Sequence, residues 1–187
     1  DGAPSTTNLV TCGTGSAARE PRHGRRTAGD RSERFRRSAR PDGRSSLILP
    51  DVNVLIYAFR GDSPDHSRYK AWLEDIVNGP ATFGLAPHVL SAVVRVCTHP
   101  RVFAVPSDSA EVFEYTNALI GQPNATLVQP GERHWSLFQQ ICRDSRATGN
   151  LVPDAWNAAL AIETGCEWVT TDRDYSRFAG LKWRTPF

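Results

Sequence analysis

Apolar positions along this chain fall into two alternating kinds of block, short continuous runs of strand length and longer stretches with helical spacing. The run Leu47-Ile48-Leu49-Pro50-Asp51-Val52-Asn53-Val54-Leu55-Ile56-Tyr57-Ala58-Phe59 predicts a buried strand that passes directly into a helix, with Asp51 at the junction. Beyond Gly61-Asp62, Ser63 as N-cap and Pro64 at the first helical position predict a helix with Tyr69, Trp72, Leu73, Ile76 and Val77 on one stripe, ended by Asn78-Gly79-Pro80. A short strand over 82–85 is followed by a helix from Pro87 through Cys97, closed before Pro100. Ser107-Asp108 opens a helix through Val112, Tyr115 and Leu119, and Thr126-Leu127-Val128 reads as a strand. Pro130 marks the start of a helix with Trp135, Leu137, Phe138 and Ile141 on its buried side. Asp154 opens an Ala-rich helix capped by Gly165, residues 166–171 form a strand ending on Asp172-Arg173-Asp174, and residues 181–184 a final edge strand. Strands alternating with helices predict an α/β fold whose mostly parallel sheet is covered on both faces, and about 140 residues suffice for one such core.

Composition adds a boundary. Residues 1–45 carry ten Arg, no Lys and five acids, a net of +5, whereas residues 46–187 carry twelve basic and fifteen acidic residues, a net of −3. The first stretch is polar and aperiodic, so residues 1–46 are expected to be a disordered Arg-rich extension and residues 47–187 the folded domain. Arg-rich contact with RNA phosphates is one role for such a tail, and a tail with no selected role is the other. The chain begins at Asp1 and contains no Met, so Asp1 is not an initiator residue. No run of about 18 apolar residues exists, which excludes a membrane-spanning helix on length, and the N-terminus lacks the apolar core of a signal peptide. Cys12, Cys97, Cys142 and Cys166 form no Cys-x-x-Cys pair, which argues against a zinc site, and Cys97, Cys142 and Cys166, each in or beside an apolar segment, are expected to be buried thiols in a reducing cytosol.

Candidate chemistry then concentrates in the acids. Asp51 follows the first strand, Asp154 opens a helix and Asp172 follows a late strand. In a parallel sheet the carboxyl ends of strands share one edge, so Asp51 and Asp172 can converge there, and Asp154 can join them through its helix N-terminus. Each also has a local reading. Asp51 can cap its helix, Asp154 can favour the helix dipole, and Asp172-Arg173-Asp174 can form a hydrogen-bonded turn. Clustered carboxylates without His or Cys suit Mg²⁺ or Mn²⁺, and such a site suits phosphodiester hydrolysis. Asn53 either orients a ligand or bonds locally.

These motifs, in this order and spacing, resemble a PIN domain, and specifically a VapC-type toxin ribonuclease of a bacterial toxin–antitoxin pair. The resemblance rests on residues 49–58, on Leu151-Val152-Pro153-Asp154-Ala155 and on Thr170-Thr171-Asp172-Arg173-Asp174-Tyr175-Ser176-Arg177-Phe178, with Thr98-His99-Pro100-Arg101-Val102-Phe103 similar to one VapC subgroup. It implies a three-layer PIN-like fold and a metal-dependent endoribonuclease acting in the cytoplasm on RNA, often tRNA or rRNA. It also implies silencing by a small antitoxin protein and assembly as a homodimer. By resemblance Asp51 and Asp154 hold Mg²⁺ or Mn²⁺, Asp172 or Asp174 completes the acidic pocket and positions the attacking water, and Asn53 and Thr171 match polar positions near the metal. One departure stands out: many PIN domains carry a Glu near the position of Ala92, and no acid occurs between Asp75 and Asp108. A catalytically inactive scaffold that binds antitoxin or RNA therefore remains the alternative. A phosphotransferase using Asp51 as nucleophile is a third reading, though that chemistry usually wants a second Asp where Asn53 stands. Arg60, Arg68, Lys70, Arg95, Arg101, Arg173 and Arg177 are the candidate RNA contacts, and the five Trp side chains are candidates for stacking or for the core.

Overall fold

The computed structural model describes residues 47–187, so the expected disordered extension, 1–46, lies outside the described residues. The strands are β1 (Ile48–Pro50), β2 (Phe83–Leu85), β3 (Ala125–Leu127), β4 (Glu167–Val169) and β5 (Trp183–Arg184). The helices are α1 (Val52–Phe59), α2 (His66–Val77), α3 (Pro87–Cys97), α4 (Ser109–Ile120), α5 (His134–Ser145) and α6 (Leu151–Thr164), with a 3₁₀ turn over Arg173–Arg177. The five strands form one sheet in the order β3-β2-β1-β4-β5, every pair parallel. Leu49 sits opposite Trp168 and Pro50 opposite Val169, so β1 and β4 end side by side.

Chain direction explains the layers. From β1 to β2 to β3 the sheet grows one way, and from β3 to β4 to β5 it grows the other way. Right-handed crossovers therefore put α1–α4 on one face and α5–α6 on the opposite face. The α1–α4 helices pack among themselves, and α5 packs on α6 as a hairpin. Leu49, Phe83, Leu85, Leu160 and Trp168 are fully or almost fully buried between these layers. Gly84 is required where β2 is approached closely: a Cβ there would stand 2.8 Å from Val128 Cγ2 and 3.1 Å from Leu49 Cδ1.

Three helix starts differ from the sequence pattern. Ser63 and Pro64 form a turn in which the Ser63 carbonyl accepts the His66 N–H at 3.2 Å, and α2 begins at His66 after Asp65 adopts a left-handed φ of 54°. Helix α5 begins at His134, not Pro130, and Trp135 is 60% exposed while His134 takes the buried place. The turn leading into it is held from outside, because the Glu163 carboxylate accepts the Gly131 N–H at 2.8 Å and the Arg133 N–H at 3.0 Å. Helix α6 begins at Leu151, so Asp154 lies in its first turn and does not open it. Cys97, Cys142 and Cys166 are free thiols, with burial raising the pKa of each.

Candidate active site

The two strands on either side of the reversal in sheet order, β1 and β4, deliver the acidic residues. Open parallel sheets bind ligands at such a switch point, outside the carboxyl ends of the strands. Asp51 follows Pro50 directly, and its N–H bonds to Val169 O at 2.9 Å, which continues the β1–β4 pairing by one residue. Its Oδ1 accepts the Val52 N–H at 2.7 Å, so it is the N-cap of α1. Its Oδ2 accepts the Thr170 hydroxyl at 2.6 Å, across 119 residues of sequence. Capping and membership of an acidic group thus occupy different oxygens of one side chain.

Thr170, fully buried, is the hub of the arrangement. Besides donating to Asp51, its Oγ1 accepts the Asn53 amide at 3.2 Å and the Asp172 backbone N–H at 3.0 Å. Asp172 Oδ1 in turn accepts the Asp174 N–H at 2.8 Å and caps the 3₁₀ turn. Asp154 Oδ1 accepts the Tyr175 hydroxyl at 3.3 Å. Asp51, only 6% exposed, has its carboxyl pushed up to about 6 by burial first, with the negative charges of Asp154 and Asp172 raising it further against the Thr170 and Val52 hydrogen bonds. Burial also raises the Asp154 carboxyl, with Asp172 and Asp174 adding to the effect and the Tyr175 hydroxyl opposing it. Asp51, Asp154 and Asp172 are therefore close enough to feel one another electrostatically.

This donor set fits a hard divalent cation. Oxygen ligands of net negative charge at a buried position call for a positive one. Asn53 Oδ1 supports the fit independently, as a buried acceptor without a hydrogen-bond partner among the described residues. The closeness has a limit. Among the described residues no three His, Cys, Asp or Glu side chains stand together as a ready-made metal cage. Ala92, on α3, supplies no acid to tighten the group.

The expected site residues divide by position. Asp51, Asp154, Asp172 and Asn53 share the carboxyl edge, with Asp51 buried, Asp154 half-buried and Asp172 exposed, whereas Asp174, also exposed, pairs with Arg177 at 3.2 Å. Thr171 stands next to the hub, but its hydroxyl makes no hydrogen bond among the described residues; the bonds belong to Thr170, which residue type alone could not distinguish. Tyr175, which bonds Asp154, and Asn157, which bonds Tyr175, were not among the expected residues. Arg60 is not a free RNA contact. Its side chain is 8% exposed, lies 3.8 Å over the Phe103 ring, pairs with Asp62 at 2.6 Å and bonds Ser107 Oγ and Val105 O. Arg95 lines a groove of about 530 Å³ between α3 and α4, with Leu90, Val94, Phe113 and Ile120, and no carboxylate lines that groove.

Comparison with known proteins agrees with this fold. The PIN domain family matches residues 48–181. Ribonuclease VapC43 of Mycobacterium tuberculosis is 40% identical over 140 residues, which is 75% of this chain and 95% of that protein. Ribonuclease VapC31 of the same species is 36% identical over 136 residues, 73% of this chain and 96% of its own. Among solved structures, VapBC2 from Rickettsia felis bound to a promoter DNA fragment matches with a TM-score of 0.57 at 13% identity, covering 74% of this chain and 98% of that one. VapC20 of Mycobacterium tuberculosis, described as a Sarcin-Ricin loop cleaving toxin, matches at 0.51 and 13% identity over 72% of this chain and 98% of that one. At such identities the structural matches speak for the fold.

Proposed function

Because this chain belongs to the PIN-domain family, within its VapC ribonucleases, we propose that it is an endoribonuclease, the toxin of a toxin–antitoxin pair, and that its acidic edge works with Mg²⁺ or Mn²⁺. The observation that carries the metal site is the convergence of Asp51, Asp154 and Asp172 beside the orphaned Asn53 Oδ1. Asp51 and Asp154 would hold the ion. When bound, a divalent cation supplies charge neutralisation of the scissile phosphate and water acidic enough to attack it at neutral pH.

The remaining roles fall to side chains of this chain. Thr170 fixes Asp51 Oδ2 and, through Asn53 Nδ2, turns Asn53 Oδ1 free of protein donors. Asp172 keeps Oδ2 free of protein partners among the described residues while Oδ1 anchors the 3₁₀ turn, so Oδ2 is the oxygen that positions the attacking water and takes its proton. Asp174 and Thr171 flank that water as secondary contacts. Arg173 and Arg177, both exposed on the same turn, would supply the phosphate contacts, Arg177 after leaving its pairing with Asp174. Hydrolysis then breaks one P–O bond of the RNA backbone, with water adding to phosphorus and a proton returning to the leaving oxygen.

The nuclease unit in this reading is residues 47–187, with 1–46 an extension. Its substrate class is tRNA or rRNA, its partner a small antitoxin protein, and its assembly a homodimer in the cytoplasm; among the described residues no helix is long and apolar enough to cross a membrane. A scaffold that binds antitoxin or RNA without cutting is the second reading, favoured by the absence of a ready-made three-ligand cage among the described residues. Calorimetry with Mn²⁺ separates the two. The nuclease takes up Mn²⁺ in a manner abolished by Asp51→Ala and Asp154→Ala, whereas the scaffold takes up none.

A further inference from the structure

Asp51 is held by two protein donors, but Asp154 sits half-buried in the first turn of a helix with one. What stands behind that donor reaches into α3. Tyr175 Oη accepts the Asn157 amide at 2.9 Å, and Asn157 Oδ1 lies 2.8 Å from His88 Nε2. Tyr175 and Asn157 are buried, the tyrosine ring against Trp168 and Phe178. Asn157 follows Asp154 by three residues and so shares its face of α6.

With Asp154 ionised, the hydrogens of this series run in one direction. Tyr175 has a single hydrogen, and Asp154 Oδ1 is acceptor-only when ionised, so that hydrogen goes to Asp154. Asn157 must then give Nδ2–H to Tyr175 Oη, which leaves Oδ1 to accept. His88 must therefore carry its hydrogen on Nε2. The reversed amide would set Asn157 Oδ1 and Asp154 Oδ1 against each other for one hydrogen. Each donor polarises the next, and the series ends on an anion.

We propose that His88, Asn157 and Tyr175 form a one-way hydrogen-bond relay that positions Asp154, fixing Oδ1 and leaving Oδ2 to the cation that Asp154 would hold. His88 lies one helical turn before Ala92 on the same face of α3. The relay thus connects α3 to the acidic edge in a chain that has no acid at Ala92. These three are positioning residues, since none touches substrate or metal. The proposal rests on the metal reading above.

Mn²⁺ calorimetry on the full chain, paired with thermal melts, tests it. Tyr175→Phe keeps the ring and removes only the hydroxyl, and is expected to weaken Mn²⁺ binding by about ten- to a hundredfold, as loss of an outer partner of a metal ligand does. His88→Ala is expected to weaken it less, and His88→Gln, whose amide again offers an N–H, to restore it. A merely structural role would lower the melting temperature and leave the affinity unmoved. Wild-type Mn²⁺ affinity in folded Tyr175→Phe overturns the relay. Should that variant not fold, wild-type affinity in His88→Ala, altered at a half-buried position, overturns it equally. Wild-type protein that takes up no Mn²⁺ overturns the metal reading itself, an outcome distinct from uptake lost in Asp154→Ala but retained in Tyr175→Phe.

Discussion

Asp51 divides its two oxygens between a helix end and a hydroxyl, and its pH behaviour follows from where that leaves the charge. A carboxyl whose folded pKa lies above its unfolded value stabilises the fold fully below the unfolded pKa, and that contribution is lost as pH rises through the folded one. For Asp51 the window runs from 3.8 to about 6. Without divalent cation, the group is expected to withdraw about 3 kcal/mol across it. Urea unfolding of wild type and Asp51→Asn in EDTA checks this: wild-type stability falls relative to the variant as pH rises, and parallel curves would contradict the assignment. Thr170→Val conserves shape but strands Asp51 Oδ2, Asn53 Nδ2 and the Asp172 N–H, so a loss of about 1–3 kcal/mol is expected. RNA cleavage should drop about ten- to a hundredfold; a wild-type rate in the folded variant would refute the hub. The acids were legible because a carboxylate amid apolar neighbours is conspicuous. Thr170 and Thr171 were not separable, since adjacent residues at a strand end face opposite ways and composition does not say which faces Asp51.

At the level of elements, short apolar runs located all five strands, and the alternation with helices foretold their parallel pairing. Helix ends were harder wherever another element supplies the cap. Pro130 looked like the start of α5, but Glu163 of α6 binds the amides of that turn, a tertiary contact no local pattern contains. Trp135 was misplaced for the same reason, because moving the start to His134 put the histidine inward and the indole outward. Arg60 read as a candidate RNA contact and is buried, tying the end of α1 to the 105–107 segment through Ser107 and Val105. Gly84 gives the sharpest test of the sheet packing. Gly84→Ala would press a methyl against Val128 and Leu49, and overpacking of this kind costs about 1–3 kcal/mol. A lower urea midpoint with an unchanged slope is expected, and an unchanged midpoint would show that the sheet has room there.

In the whole molecule, function is a consequence of sheet order. Asp51 and Thr170 are 119 residues apart and meet only because β4 returns to the far side of β1. The sequence pattern carried the strands and the acids, and their order carried the family resemblance. It did not carry the second rank of polar side chains, His88, Asn157 and Tyr175, because their value lies in pairing across three elements. The acids gathered at one edge of a domain with a net charge of −3 over residues 46–187 repel RNA phosphates, so the proposed cation and the cutting are tested together. The direct test is the rate at which purified, antitoxin-free protein cleaves total bacterial RNA in Mn²⁺, compared with EDTA and with Asp51→Asn. The expected result is cleavage in Mn²⁺ that falls about a thousandfold in both comparisons, the several kcal/mol that a bound cation supplies. Equal rates in Mn²⁺ for wild type and Asp51→Asn, or no cleavage by wild type in Mn²⁺ or Mg²⁺, would contradict the assignment.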